Sequence, residues 1–125
     1  MIRLSYETIL QLQNQLIDRY GGIHGVRDEH LLDSAINAPY QSFGSTEFYP
    51  TVVEKAVRLC FGLVKNHPFI DGNKRIGALA LLVLLDLNHL TLNATSAELA
   101  EVILQLAAGT IDDVLFLHWV QNRIE

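Results

Sequence analysis

Residues 76–85 read Ile-Gly-Ala-Leu-Ala-Leu-Leu-Val-Leu-Leu, a run of ten positions without one polar side chain. The run is too short to cross a membrane as a helix, which takes about 20 residues. A helix that is apolar on every side is typical of the buried centre of a globular domain. We therefore predict that a helix opens near Gly72, continues to about Asn88 and is surrounded by the other elements of an all-α bundle.

The composition favours one folded domain over residues 1–125. Half of the residues are hydrophobic and 18% are charged, which excludes an intrinsically disordered chain. A domain of this size folds without disulfides or a structural metal. The single cysteine, Cys60, lies on the apolar face of a predicted helix and is expected in the core. Together with the absence of a signal-peptide pattern, it predicts a cytoplasmic protein with no membrane partner.

The charge balance restricts the possible partners. Nine basic and 14 acidic residues give a net charge of −5. A net acidic surface disfavours non-specific binding to nucleic acid, so no direct nucleic-acid partner is expected. Any phosphate chemistry must then depend on a local basic cluster.

The remaining helices are predicted from apolar spacing and capping signals. Capping boxes at residues 51–54 (Thr-Val-Val-Glu) and 95–98 (Thr-Ser-Ala-Glu) each start a helix. A first helix is expected to stop at Gly21, and a short one to run from Asp28 to about Ala38. Residues 110–113 are expected to start a last helix that reaches the C-terminus. The prediction is an all-α bundle of about six helices.

Residues 40–50 (Tyr-Gln-Ser-Phe-Gly-Ser-Thr-Glu-Phe-Tyr-Pro) lack a helical period and are predicted to form a loop or short hairpin. Two interpretations are open at this point. The segment is either a connector between helices, or a flap whose exposed aromatic side chains grip a peptide.

The densest polar cluster, residues 65–75, reads Lys-Asn-His-Pro-Phe-Ile-Asp-Gly-Asn-Lys-Arg and lies directly before the apolar helix. A helix start offers unpaired N–H groups and a partial positive charge, which attract phosphate. Gly72 lets an anion approach the backbone closely, and Lys74 and Arg75 add full charges. Asp71 supplies a hard oxygen ligand for Mg²⁺, and His67 can accept a proton at neutral pH. The alternative is a simple helix cap with solvated charges.

The stretch from His67 to Arg75 resembles the signature of the Fic/Doc superfamily. That signature specifies seven positions, in the order His, Phe, Asp or Glu, Gly or Ala, Asn, Gly or Lys, and Arg. All seven match here, at His67, Phe69, Asp71, Gly72, Asn73, Lys74 and Arg75. Residues 20–39, residues 49–66 and the apolar helix also look like the death-on-curing (Doc) branch. The fold expected from this resemblance is the Fic/Doc-like helical bundle.

The resemblance implies a role for each matched residue. His67 would activate a target hydroxyl, Asp71 would bind Mg²⁺, and the turn of Gly72 and Asn73 would form an anion hole. Arg75 would bind nucleotide phosphate, and Lys65 is placed to help from just before the histidine. Residues 40–50 would correspond to the flap that aligns target peptides.

Two departures from the AMP-transferring members bear on the reaction. Those members commonly have glycine where this chain has Lys74, and a second arginine where it has Ala78. Both departures are similar to Doc toxins, which transfer the γ-phosphate of ATP or another nucleoside triphosphate. By resemblance, the target is a threonine of translation elongation factor Tu. The alternatives are AMP transfer to a protein target and a catalytically silent interaction module.

The pattern Ser/Thr-x-x-x-Glu-Gly/Asn, which marks the inhibitory helix of self-inhibited Fic proteins, does not occur in the sequence. If the chain is a toxin, a separate protein would then have to inhibit it. The resemblance implies a cognate antitoxin whose disordered tail folds onto the toxin, and such folding requires an exposed apolar groove.

Overall fold

The computed structural model describes residues 1–125 as a bundle of six α-helices with one small hairpin. The helices are α1 (Tyr6–Tyr20), α2 (Glu29–Asn37), α3 (Val52–Lys65), α4 (Asn73–Leu87), α5 (Ser96–Ala108) and α6 (Asp113–Gln121). A 3₁₀ turn (Ala38–Tyr40) leads into antiparallel strands β1 (Ser42–Phe43) and β2 (Thr46–Glu47), with Phe43 opposite Thr46. The predicted helix count and the short hairpin are confirmed.

Local capping signals explain where most helices begin. Both predicted capping boxes form: the Thr51 hydroxyl accepts from the Glu54 N–H at 3.1 Å and the Thr95 hydroxyl from the Glu98 N–H at 3.1 Å. Asp28 caps α2 by accepting from the Leu31 N–H at 3.0 Å. Such caps satisfy N–H groups that the helix itself leaves unpaired.

The last helix begins within the predicted residues 110–113. Its N-cap is Asp112, whose carboxylate accepts from the Leu115 N–H at 2.9 Å. The Thr110 N–H instead donates back to the Gln105 carbonyl at 3.0 Å and so completes the end of α5. Thr110 thus belongs to the end of α5, and the predicted start at residues 110–113 is confirmed with Asp112 as the capping residue.

The same helix also ends before the C-terminus. Beyond Gln121, the Arg123 carbonyl accepts from the Asn93 N–H at 2.7 Å, and the Glu125 N–H donates to the Thr91 carbonyl at 3.0 Å. These bonds to the segment before α5 replace the helical ones. The expectation that the helix reaches the terminus was wrong, because the partner lies some thirty positions earlier in the chain.

Helices α3 and α4 pack against each other at the centre of the core. They approach closely at Gly77, where a Cβ would stand 2.7 Å from the Val64 side chain and 3.4 Å from the Cys60 carbonyl. Cys60 is fully buried, as predicted, and burial raises the pKa of its thiol well above the usual range. Phe69, just after α3, is buried in the same core.

One side of α4 is less enclosed than its sequence predicts. The face with Ile76, Ala80 and Leu84 is fully buried, whereas Leu82 is 39% exposed. Helix α4 packs against α1, α3 and α5, and no further helix covers the fourth side. The predicted central helix is thus present, with one apolar face open. No helix combines the length and apolarity that a membrane crossing requires.

Candidate active site

The polar cluster forms the junction between α3 and α4. Helix α3 ends at Lys65 with Asn66 as its C-cap, and His67 follows with φ +48°. Gly72 precedes α4 with φ +76°, also in the left-handed region. A residue in this region just after a helix is usually glycine, so the backbone at His67 is held in a conformation that a side chain disfavours.

The carbonyl oxygens of the first half of the junction are bound by the segment before α2. The Arg27 guanidinium donates to the Asn66 carbonyl at 2.9 Å and to the His67 carbonyl at 2.6 Å. The Pro68 carbonyl accepts from the N–H groups of Arg27 and Asp28, at 2.8 and 3.1 Å. The partial negative charges of these oxygens are therefore neutralised by donors from residues 27–28.

The second half is held by two side-chain amides. The buried Asn73 accepts from the Phe69 N–H at 2.9 Å and donates to the Phe69 carbonyl at 3.0 Å. Gln13 of α1, which is 2% exposed, donates to the Asp71 carbonyl at 2.7 Å. Consequently nearly every carbonyl of the junction is satisfied from within the protein, as a loop that receives an anion requires.

The start of α4 presents free hydrogen-bond donors, in contrast to the satisfied carbonyl acceptors of the junction. The backbone N–H groups of Asn73, Lys74 and Arg75 have no partner in the protein, and no side chain caps the helix. A helix of 15 residues adds a partial positive charge at this end. The predicted anion site thus has its donors free.

The two cations beside this helix start are also free. Lys74 and Arg75 are exposed, and neither lies within ion-pair distance of a carboxylate. The Arg75 guanidinium stacks 4.6 Å from the centre of the Tyr20 ring, which orients it without neutralising it. Both charges remain available to an anion.

His67 is oriented by the same asparagine that holds the junction. Its Nδ1 lies 3.3 Å from the Asn73 Nδ2, and the direction of that amide is set by its two bonds to Phe69. An N–H donor at Nδ1 selects the neutral ring with its proton on Nε2. Accepting a proton at Nε2 therefore requires the ring to release this contact, at about 1 kcal/mol.

Asp71 is exposed and is oriented by backbone donors. One oxygen accepts from the Gly72 N–H at 2.9 Å and the other from the Ile23 N–H at 3.2 Å. No group of three acidic, histidine or cysteine side chains gathers around it. A lone carboxylate with spare lone pairs fits Mg²⁺ that shares its ligands with nucleotide phosphates, and does not fit a metal held by protein alone.

Lys65 does not join the other predicted site residues. Its ammonium donates to the Leu106 carbonyl at 3.3 Å, near the end of α5. The lysine thus contacts the negative pole of another helix. The expectation that it assists phosphate binding is not supported by this placement.

The remaining predicted residues share a groove of about 860 Å³. Its polar lining is His67, Asp71, Gly72, Asn73, Lys74 and Arg75 of the junction, together with Thr95 and Ser96 at the start of α5. Its apolar lining comes mainly from α1, α4 and α5, with Leu16, Tyr20, Ala78, Leu79, Leu82, Leu99, Ala100, Ile103 and Leu104, and from Ile70 and Ala94 outside these helices. The open face of α4 is therefore one wall of the candidate active site.

Sequence reasoning missed Arg27 and Gln13, the two side chains that hold the junction from outside. Arg27 lies 40 positions from its histidine partner, and nothing in its local sequence marks it. Gln13 had a signal, since it interrupts the apolar stripe of α1 between Ile9 and Ile17. A buried polar residue on such a stripe usually has a specific partner.

Comparison with known proteins agrees with this geometry. The sequence model of the Fic/DOC family matches residues 3–85, which span α1 to most of α4 and contain the junction. Toxin Doc of Mycolicibacterium smegmatis (strain ATCC 700084 / mc(2)155) is 37% identical over 75 residues, which are 60% of this chain and 58% of that protein. The chain thus matches somewhat less than two thirds of this relative's length. The chain belongs to the Fic/DOC family.

Proposed function

We propose that the chain is a Doc-like toxin that transfers the γ-phosphate of a nucleoside triphosphate to a hydroxyl group of a protein. One observation carries the proposal: His67 lines the same groove as the unpaired N–H groups and free cations at the start of α4. This arrangement offers a base and an anion site side by side. The similarity to a protein named Toxin Doc supports the same function.

The chemistry assigned to the groove is mainly positioning and charge compensation, as phosphoryl transfer requires. The backbone N–H groups of residues 73–75 hold phosphate oxygens, and Lys74 and Arg75 offset their charge. Asp71 would hold Mg²⁺, which supplies further neutralisation of the phosphates when bound. In a preorganised site of this kind the backbone of the junction keeps its position during the reaction, and only the His67 ring changes its contact with Asn73.

His67 acts on the target hydroxyl. In the proposed step its Nε2 accepts the hydroxyl proton as the oxygen attacks the γ-phosphorus, and the bond to the nucleoside diphosphate breaks. Before this, the ring exchanges its contact with Asn73 for the tautomer protonated on Nδ1. Such general-base catalysis contributes about 10²- to 10⁴-fold.

Ala78 supports phosphate transfer over AMP transfer. Its methyl group lines the groove one turn beyond Lys74. AMP-transferring relatives place there the second arginine that holds the γ-phosphate, and an alanine cannot replace a charge-assisted contact. We therefore expect the nucleotide to bind in the reverse orientation, with its γ-phosphate next to His67.

The hairpin of β1 and β2 is the proposed contact for the protein target. All residues from 41 to 48 are exposed, and Phe43 is 80% exposed. Such an edge can pair with an extended peptide of the target. By the family resemblance, we expect a threonine of elongation factor Tu as the target and arrest of translation as the result.

We expect a cognate antitoxin to inhibit the proposed transfer activity. The open apolar face of α4, with Leu79 and Leu82, suits the apolar side of a helix that folds on binding. The free charges of Lys74 and Arg75 suit an acidic side chain from the same segment. An antitoxin bound there would occupy the groove and exclude the nucleotide.

The test is transfer of labelled phosphate by the purified chain with Mg²⁺, elongation factor Tu and cell extract. ATP is labelled in turn at the γ- and α-phosphates, and His67→Ala is compared with His118→Ala. His118 is exposed on α6 and makes no side-chain hydrogen bond. We expect γ-label on a protein band, which His67→Ala loses and His118→Ala retains.

Other outcomes would redirect the proposal. Label from the α position alone would mean AMP transfer and would make the argument from Ala78 wrong. No label from either position, with a helical circular dichroism spectrum intact, would favour a binding module. Growth arrest by His67→Ala in cells would overturn the role of His67 as general base.

A further inference from the structure

The backbone of His67 needs an external restraint. It occupies the first position beyond the cap of α3, at φ +48°. In this left-handed region a side chain at Cβ is disfavoured, and glycine is the usual occupant. A histidine here tends to relax toward an ordinary φ, which would turn its Cα–Cβ bond and carry the imidazole away from the groove.

Arg27 is placed to supply that restraint. Its Nε and one terminal nitrogen donate to two successive carbonyls, those of His67 and Asn66, at 2.6 and 2.9 Å. Its own N–H donates to the Pro68 carbonyl at 2.8 Å. Three consecutive peptide oxygens around His67 are thus bound by one residue, and their directions define the backbone between them.

The surroundings of Arg27 fit this purpose. No carboxylate lies within ion-pair distance of its guanidinium, so the charge is not committed elsewhere. Its neighbour Val26 forms an antiparallel bridge with Phe69, and the Gly25 carbonyl accepts from the Ile70 N–H at 3.0 Å. The arginine is therefore carried by a segment that is itself tied to the junction.

We infer that Arg27 is a positioning residue for the transfer reaction, which sets the backbone of His67 and through it the direction of the imidazole. This inference rests on the proposed function of His67. Because Arg27 is exposed, its contacts contribute little to folding. The variants are therefore expected to fold, and the loss should appear in turnover.

The test compares Arg27→Ala and Arg27→Lys with Arg123→Ala. Arg123 is a matched control, because it also donates to a backbone carbonyl, that of Trp119 at 3.3 Å, but lies near the C-terminus. For each variant, kcat and KM for ATP are measured along with the thermal midpoint. The imidazole resonances of His67 are followed by NMR of histidine-labelled protein.

We expect Arg27→Ala to lower kcat by about 10- to 100-fold, as a small misplacement of a reacting group does. KM for ATP should change by less than about threefold, because no phosphate contact is removed. Arg27→Lys, which keeps N–H donors but lacks the rigid planar fork, should be intermediate, and added guanidinium should restore part of the turnover of Arg27→Ala. The His67 resonances should shift in both variants and stay unchanged in Arg123→Ala.

Three results would overturn the inference. They are a kcat within about twofold of the wild type, a rise in KM alone, and a loss of turnover that matches the loss of folded protein. If the wild-type chain transfers no phosphate, the proposed function fails separately. The NMR measurement then decides on Arg27, since unchanged His67 resonances in Arg27→Ala would exclude a positioning role.

Discussion

Two loops of this protein precede long helices, and they are held in opposite ways. Residues 66–72, before α4, have their carbonyl oxygens bound by Arg27, Asp28, Asn73 and Gln13. Residues 41–50, before α3, form the hairpin, whose strands are exposed on both sides. The hairpin is attached mainly at its base, by the buried Lys55, which donates to Glu47 at 2.9 Å and to the Tyr49 carbonyl.

The difference corresponds to the chemistry proposed for each loop. Charge that develops during phosphoryl transfer is stabilised only by donors already in place, so the first loop gains from rigidity. A protein target has its own shape, so a segment that pairs with it gains from freedom to adjust. The following experiments disturb each loop in turn and test whether rigidity matters in one and not in the other.

The largest effect is expected from Asn73→Ala. The change leaves the buried N–H and carbonyl of Phe69 without partners, so the junction that places His67 loses its internal support. We expect a loss of about 2 to 4 kcal/mol in the free energy of unfolding, together with a large loss of turnover. Urea unfolding and the transfer assay measure the two effects.

The control for Asn73→Ala lies at the other end of the same helix. Asn88 binds the N–H and carbonyl of Ile2 at 2.8 and 2.9 Å, the same two-point contact made by Asn73. Asn88→Ala should cost less stability, because its site is exposed, and should leave turnover per folded molecule unchanged. Equal turnover in the two variants would mean that the Asn73 contacts serve folding alone.

The next effect in size is expected from Gly22→Ala. At φ +118° an added Cβ would stand 2.7 Å from the Asp71 carboxylate. The carboxylate must then move, and we expect the Mg²⁺ concentration for half-maximal activity to rise several-fold. Gly21→Ala is the matched control, since φ is +87° and nothing lies within 4 Å of its Cβ. An equal Mg²⁺ requirement in both variants would contradict the role of Asp71.

A smaller effect is expected from Lys55→Met, which releases the hairpin. The Tyr49 carbonyl and Glu47 lose their donor, at a cost of about 1 to 2 kcal/mol in the free energy of unfolding. KM for the protein target should rise a few-fold, and KM for ATP should not change. Glu47→Gln keeps the hydrogen bond and should lie between the wild type and Lys55→Met. A changed KM for ATP would show that the two loops are coupled.

The smallest effect is expected outside both loops, at the capping box of α5, whose Thr95 lines the groove. The Thr95 N–H and hydroxyl hold the pKa of Glu98 below its usual value. A lowered folded-state pKa stabilises the protein above the usual glutamate pKa of about 4.3, and this contribution is lost as pH falls through the folded value. The difference in thermal midpoint between wild type and Glu98→Gln should be small at pH 7 and shrink on acidification. A difference that grows on acidification would contradict this assignment.

Helix starts were predictable because their signals are local. A capping residue and the N–H it satisfies lie three positions apart, as at Thr51, Thr95 and Asp28, so the sequence contains the whole interaction. Thr110 shows the limit of this reasoning. It carries the same signal, but its N–H is bound by the end of the preceding helix, which a local pattern does not reveal.

The candidate site was predictable as a set of residue types and only partly as an arrangement. His67, Asp71, Lys74 and Arg75 lie within nine positions, so their proximity follows from the chain itself. Lys65 is equally close in sequence but contacts the end of α5 instead. A long side chain at a helix end has several carbonyls within reach, and the tertiary packing selects among them.

The sequence alone determined the helical composition, the capped helix starts and the polar junction before an apolar helix, because each depends on residues a few positions apart. Tertiary structure decided that Arg27 and Gln13 restrain the junction, and that one face of α4 stays open as the wall of a groove. These features join residues tens of positions apart. Their free energy depends on how the helices pack, and no local pattern contains that information.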